Sequence, residues 1–184
     1  LVNCYLENKP NGDGVYVIKR PGMSLNVSQS VGVAGFGRGI FNWAGNIFQV
    51  IASSLYMNGV FVAAVDGTTT LRYRWAIVST FPFETLVLGN GLVSYTYTLA
   101  GGLTTIVPST NNLAAGIAVL DGTVYFMDGI SNIVGSGILQ PTVYNPLNSI
   151  RAQVEPDLPV YLSKHLVYII AFKQWSIEVF SDNG

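Results

Sequence analysis

Four Asx-Gly dipeptides, each flanked by alternating apolar residues, constrain the fold of this chain more than any other feature. Asn58-Gly59, Asp66-Gly67, Asn90-Gly91 and Asp121-Gly122 carry the pair that tolerates the positive φ values of a type I′ turn. The twist of that turn matches the twist of a two-stranded antiparallel ribbon. Around them the apolar residues recur with a period of two, as in Val93-Ser94-Tyr95-Thr96-Tyr97-Thr98-Leu99 and Ser176-Ile177-Glu178-Val179-Phe180. Such alternation buries one face of a strand and exposes the other. No period of 3.6 persists over the length an amphipathic helix requires, and at most one helical turn is expected, over Ser109 to Ala115. The chain therefore reads as all-β, an antiparallel hairpin meander.

The same signals place the strands. Val15 to Lys19 lies between the turn residues Asn11-Gly12-Asp13-Gly14 and Arg20-Pro21-Gly22. Gly39 to Trp43 is expected to pair with Ile47 to Ala52 across Ala44-Gly45-Asn46, and Val60 to Val65 with a strand centred on Arg72 to Val78 across Asp66-Gly67. Thr85 to Leu88 and Leu92 to Thr98 flank Asn90-Gly91, and Ala100-Gly101-Gly102 leads into Leu103 to Val107. Ile117 to Leu120 and Thr123 to Met127 flank Asp121-Gly122, while His165 to Phe172 and Trp175 to Phe180 are joined by Lys173-Gln174. The segment around Asn90-Gly91 echoes the one around Asp121-Gly122, each a strand, a turn and a second strand. Consecutive hairpins of this kind build the four-stranded blades of β-propellers. The expected architecture is part of a β-propeller, about two blades of a larger protein; a β-sandwich, which uses the same hairpins with longer crossings, is the alternative.

Composition narrows the function classes. Only 10% of the 184 residues are charged and 49% are apolar, against roughly 25% charged in an ordinary soluble domain. The longest apolar runs, Val60 to Val65 and Leu166 to Phe172, fall far short of the ~18 residues that span a bilayer as a helix, so no membrane insertion by this chain is expected. A chain so poor in charge either builds a large β core or buries extra surface against partners. Net charge is −1, and the nine Lys and Arg residues are scattered. Tight nucleic-acid binding needs a basic stripe that displaces counterions, and none is visible. The lone cysteine, Cys4, allows no intrachain disulfide. Leu1 in place of a methionine and the turn-like ending Ser181-Asp182-Asn183-Gly184 give the expectation of an internal piece of a longer protein.

Catalytic motifs are weighed and set aside. His165, the single histidine, precedes an apolar strand and has no nucleophile or orienting acid beside it in sequence. Nothing basic adjoins Cys4 to lower its pKa. Asp13, Asp66, Asp121 and Asp182 occupy turns, where Asp is favoured for local hydrogen bonding, which leaves Glu84, Glu155 and Asp157 as acids for a glycosidase-type pair. Gly35-Phe36-Gly37-Arg38-Gly39 has Ile40 where a dinucleotide fingerprint needs glycine. Asn11-Gly12-Asp13-Gly14 lacks the bidentate glutamate of a calcium loop. The sequon Asn26-Val27-Ser28 matters only in a secretory compartment. Tyr95 with Tyr97, and Tyr73 with Trp75, lie at period-two spacing and suit either a sugar-stacking platform or a core or interface. No catalytic, cofactor-binding or metal-binding residue is assigned, and no cofactor is expected.

Val2-Asn3-Cys4-Tyr5-Leu6-Glu7, followed after a turn by Val17-Ile18-Lys19-Arg20-Pro21-Gly22-Met23, resembles the opening of the packaged-DNA stabilisation proteins of short-tailed bacteriophages, also called nozzle or tail tubular proteins. Arg38-Gly39-Ile40 into Asn46-Ile47-Phe48-Gln49-Val50, then Ser54-Leu55-Tyr56, is similar to that family's first propeller hairpins. Leu88-Gly89-Asn90-Gly91-Leu92 and Ile177-Glu178-Val179-Phe180 fit its later strands. Cys4 departs from the apolar residue usual at its position. The resemblance implies a non-enzymatic structural protein of the virion neck or tail. It implies a homo-oligomeric ring below the portal and adaptor, closing the exit, retaining packaged DNA and conducting it during ejection without binding it tightly. Residues 1–37 are expected to form a strand and loop serving as an inter-subunit arm, and residues 38–184 the hairpin repeats. The alternative function is a carbohydrate-binding or hydrolysing module of a tail, which requires two of Glu84, Glu155 and Asp157 in an open cleft beside a stacked aromatic ring.

Overall fold

The computed structural model describes residues 4–8, 15–19, 35–79, 84–106, 116–128, 132–152 and 154–181, which divide between two compact units, Leu1–Ser30 and Val31–Gly184. The first unit holds one antiparallel hairpin, β1 (Cys4–Asn8) with β2 (Val15–Lys19), in which Cys4 lies opposite Lys19. The second holds four sheets in chain order. The first sheet is β3 (Gly37–Trp43), β4 (Asn46–Ile51), β5 (Ser54–Met57) and β6 (Val60–Ala64). The second is β7 (Arg74–Ser79), β8 (Glu84–Gly89), β9 (Ser94–Thr98) and β10 (Gly102–Ile106). The third is β11 (Ile117–Leu120), β12 (Thr123–Met127), β13 (Asn132–Gly137) and β14 (Gln140–Arg151). The fourth has three strands, β15 (Pro159–His165), β16 (Tyr168–Lys173) and β17 (Ile177–Ser181). Every neighbouring pair is antiparallel and sequential. Among the described residues there is no helix.

The all-β meander expected from the hairpin signals is therefore present, with four sheets in a length for which about two had been expected. The excess comes from economical turns. Asn58-Gly59 and Asp121-Gly122 turn with both residues at positive φ, 51° and 82° in one and 49° and 78° in the other. Ala44-Gly45 does the same between β3 and β4. Three further connections place an ordinary residue at positive φ: Ala52 between β4 and β5, Leu139 between β13 and β14, and Leu166 between β15 and β16. Such residues carry no turn signature.

Two pairings differ from expectation. Val60 to Ala64 pairs back onto β5, not forward onto the strand at Arg74, and Asp66-Gly67 begins the crossing to the second sheet. Neither Asp66 nor Gly67 has positive φ, so the dipeptide is used for its side chain and not for its turn. The strand expected from His165 begins instead at Tyr168, because Leu166 at φ 53° turns the chain. The turns at Asn11 to Gly14 and Arg20 to Gly22, the sequon at Asn26 and the helical turn over Ser109 to Ala115 lie outside the described residues.

Burial shows how the sheets of Val31–Gly184 stack. Trp43, Phe48, Val50 and Leu55 of the first sheet pack with Leu86, Leu88, Tyr95 and Tyr97 of the second. Val78, Val87 and Ile106 of the second pack with Ile117, Val124 and Phe126 of the third. Ala118, Leu120, Met127 and Ile133 of the third pack with Leu162, Ile169 and Ala171 of the fourth. Burying one such side chain fully is worth roughly 1.5–3 kcal/mol, so each junction is a hydrophobic core in its own right. Between the third and fourth sheets the chains approach so closely that a Cβ on Gly116, at φ 76°, would lie 2.3 Å from Leu162 N. Among the described residues no hydrophobic cluster joins the first sheet to the fourth.

Candidate functional site

The opening strands of the sheets, β3, β7 and β15, converge on a cavity of about 610 Å³ lined by β3, β4, the segment Arg72 to Trp75, and Tyr161. One wall is aromatic: Phe41 and Trp75 stack with ring centroids 5.8 Å apart and planes 6° from parallel. Gly39 makes this possible, since a Cβ there would lie 2.9 Å from Trp75 Nε1. The rim is cationic. Arg72 and Arg74 are exposed, and the Arg74 guanidinium sits over the Tyr161 ring at 5.2 Å, a favourable cation–π geometry. Two polar atoms in the wall, Gln49 Oε1 and Trp75 Nε1, are buried without a hydrogen-bond partner. The cavity offers an aromatic wall, positive charge and one unused donor and acceptor. It is lined by none of Glu84, Glu155 and Asp157, so it holds no acid pair for glycoside chemistry.

Those three acids have other partners. Glu84, at the start of β8, accepts a hydrogen bond from Trp43 Nε1 at 2.8 Å and so ties the second sheet to the first. Asp157 accepts from Lys173 Nζ at 2.8 Å, from the backbone N–H groups of Trp175 and Ser176, and from the Ser176 hydroxyl. Glu155 is exposed, and its backbone carbonyl accepts from the same lysine. Glu155 and Asp157 thus share one short crossing, while Glu84 belongs to a different sheet. His165 is exposed at the end of β15, opposite Tyr168. Tyr73, Tyr95 and Tyr97 are core residues; of the four aromatics singled out, Tyr73 and Trp75 line the cavity and Tyr95 and Tyr97 do not.

Two buried cations hold the crossings between sheets, and neither stood out in the sequence. Arg38 on β3 is 1% exposed. Its Nε donates to Leu71 O at 2.9 Å, Nη1 to Ala52 O at 3.0 Å and to Asp66 O, and Nη2 to Thr69 Oγ1 at 3.2 Å. The Asp66 carboxylate lies 3.8 Å away and the Tyr73 ring 4.9 Å away. Asp66 is in turn held by Thr68 and Asn90, and its N–H donates to Tyr95 OH at 2.8 Å. Desolvation opposes ionisation of Asp66, but the bonds from Thr68 and Asn90 and the Arg38 charge outweigh it and hold its carboxyl below the usual range. Lys173 plays the same part in the crossing from the third sheet to the fourth. Its Nζ bridges Asp157 and Glu178 and donates to Ala152 O. Desolvation disfavours the ammonium, yet the two carboxylates raise its pKa; desolvation likewise opposes ionisation of Asp157, but the bonds from Lys173, the Trp175 N–H and the Ser176 hydroxyl outweigh it and lower its pKa. A single cation inside an apolar strand was the available sequence signal in both cases. Among the described residues no group of three His, Cys, Asp or Glu side chains converges as a metal site, and no helix is long and apolar enough to cross a membrane.

A protein-family model described as "Bacteriophage P22 Gp10, beta-propeller" matches residues 2–184. No curated protein matches significantly. Among solved structures, the computationally designed Ika4 protein superposes with a TM-score of 0.58 at 10% identity, covering 86% of this chain and 99% of its own. The computationally designed Ika8 protein superposes with a TM-score of 0.54 at 13% identity, covering 99% of this chain and 56% of its own. The glutaminyl cyclase of Myxococcus xanthus is more distant, with a TM-score of 0.46 at 10% identity over 84% of this chain and 68% of its own. The sheets seen here are thus a recurrent arrangement, about one half of the longer designed chain.

Proposed function

The chain belongs to the bacteriophage P22 Gp10 beta-propeller family, and from that premise we propose that it is a ring-forming component of the phage neck or tail. The family makes it a phage structural protein associated with the virion. In the proposed role, several copies surround the axial channel below the portal and adaptor, retain the packaged genome and conduct it at ejection. The family match over residues 2–184 carries this reading. Three features support it. The scarcity of charge, 10% of residues, suits faces buried between subunits. The absence of a basic stripe suits a wall along which DNA slides, since bound phosphates would otherwise hold it by counterion release. Two of the three acids considered for catalysis, Glu84 and Asp157, are committed to structural bonds. We assign no catalytic step and no membrane insertion to this chain. Residues 1–37 act in this proposal as an arm toward a neighbouring subunit.

Electron microscopy of the particle that contains this chain tests the proposal. Repeated copies around an axial channel of DNA width are expected. A peripheral position, or absence from the particle, overturns it.

A further inference from the structure

Arginine is scarce in this chain and unevenly placed. Of the five arginines, three, Arg38, Arg72 and Arg74, line the cavity at the opening strands, and no aspartate or glutamate lines it. The Arg38 guanidinium is committed to the carbonyls of Leu71, Ala52 and Asp66 and faces the Asp66 carboxylate. Arg72 and Arg74 are differently placed. Both are exposed, and among the described residues neither has an acidic partner. A chain that carries so little charge thus holds two uncompensated guanidinium groups at the mouth of one cavity.

Their geometry is that of a clamp. Exposure alternates along Arg72, Tyr73 and Arg74, exposed, buried, exposed, and the Tyr73 N–H donates to Arg38 O at 2.7 Å. The two arginines therefore project from the same side of an extended segment, with Cα atoms roughly 6–7 Å apart. Arg74 is held over the Tyr161 ring at 5.2 Å, a contact that orients the guanidinium without neutralising it. Phe41, Trp75 and Tyr161 supply the aromatic lining. The volume of about 610 Å³ lies within the range of roughly 300–1,000 Å³ found for small-molecule pockets. Each part of the cavity selects a part of a ligand. Unpaired guanidinium forks match the oxygens of a phosphate, and aromatic rings match a flat ring such as a base. A neutral sugar also lies flat on such rings, but its hydroxyls donate as well as accept, and the lining has no carboxylate to receive them.

We propose that this cavity binds a nucleoside phosphate, with the phosphate between Arg72 and Arg74 and the base against the lining of Phe41, Trp75 and Tyr161. A free nucleotide and the unpaired end of a strand offer the same chemistry. Duplex DNA does not, because its bases are stacked inside and only its phosphates reach the arginines. The site therefore leaves a duplex free to slide. The inference adds a ligand to the chain and stands apart from the position of the protein in the virion.

Isothermal titration calorimetry on the 184-residue chain tests the proposal with deoxyadenosine monophosphate, a ten-nucleotide deoxyadenosine oligomer, and the same oligomer in a duplex. Binding of the monophosphate at one per chain is expected, with inorganic phosphate and deoxyadenosine each at least about tenfold weaker, since each fills only half of the site. Arg72→Gln and Arg74→Gln alter exposed side chains and should each weaken binding about tenfold or more, with an unchanged circular dichroism spectrum. Tyr161→Leu, which removes a ring from the lining and the support of Arg74, should do the same. An oligomer that binds no tighter than the monophosphate assigns the site to a free nucleotide, and a tighter one assigns it to a strand end. Failure of both probes to bind overturns the proposal. So does inorganic phosphate binding as tightly as the monophosphate, or the duplex as tightly as the single strand. Binding unchanged by both arginine variants, or exceeded by that of the acidic dipeptide glutamyl-tyrosine, overturns it as well.

Discussion

Replacing Arg38 by methionine tests whether the crossing between the first two sheets is held by its backbone carbonyls or by its ion pair. The guanidinium is 1% exposed and donates to three carbonyls, those of Leu71, Ala52 and Asp66, and to the Thr69 hydroxyl. The Asp66 carboxylate is farther, at 3.8 Å. Methionine keeps the volume but leaves those carbonyls without a donor in a dry site, and each such loss costs about 1–3 kcal/mol before relaxation. Removing one partner from a buried charged cluster costs about 3–5 kcal/mol in measured cases, the value expected for Arg38→Met. For a unit of this size that corresponds to a melting point lower by roughly 6–20 °C. Asp66→Asn leaves the Asp66 backbone carbonyl in place and keeps an acceptor for Thr68, so it should cost about 1–2 kcal/mol. Urea unfolding monitored by tryptophan fluorescence supplies both numbers, with Trp43 buried beside the crossing as reporter. An Asp66→Asn cost equal to or above that of Arg38→Met, or an Arg38→Met cost below about 1 kcal/mol, refutes the carbonyl account.

Other outcomes follow from the same geometry. Asp66 and Asp157 both have carboxyl pKa values held below the ordinary value of 3.8, so their stabilisation is complete above that value and is lost as pH falls through the lower folded pKa values. Denaturant midpoints measured between pH 5 and pH 2 should fall steeply for the wild type and less steeply for Asp66→Asn with Asp157→Asn. Gly116→Ala should abolish cooperative unfolding or lower the melting point by more than Arg38→Met does, because its Cβ would collide with the backbone of Leu162 and its φ of 76° is strained for alanine. Deleting residues 1–30 should leave the β spectrum of circular dichroism in place and reduce incorporation into particles, as measured by quantifying the protein in purified virions. Loss of the β signal on that deletion would count against residues 1–37 serving as an arm.

Much of the fold was legible because its hairpins use residues with a conformational reason to be there. Asn58-Gly59 and Asp121-Gly122 announce themselves, since few other pairs adopt two consecutive positive φ values. Ala52, Leu139 and Leu166 do not, and the hairpins they close were missed for that reason. Asp66-Gly67 misled in the other direction: its aspartate was selected to hold Thr68 and Asn90 and to face Arg38, a role that depends on residues nearly thirty positions away. Arg38 and Lys173 were invisible as anchors for the same reason. Sequence periodicity reports which face of a strand is apolar, but the carbonyls that meet a buried cation come from crossings whose path is fixed only by the packed sheets. The cavity wall shows the same limit, since the stacking of Phe41 on Trp75 across Gly39 joins two strands that are not neighbours in sequence.

Among the described residues, the hydrophobic cores of Val31–Gly184 join sheets consecutive in the chain, first with second, second with third, third with fourth. Emergence from the ribosome therefore presents the strands in the order in which they are used. Each meander completes its backbone pairing from residues already made, and its exposed face becomes the template for the sheet that emerges next. No strand of these sheets waits for a partner synthesised long after it, so loop-closure entropy stays small although the fold is entirely β. Growth of this kind leaves one sticky face at every stage and moves it forward along the chain.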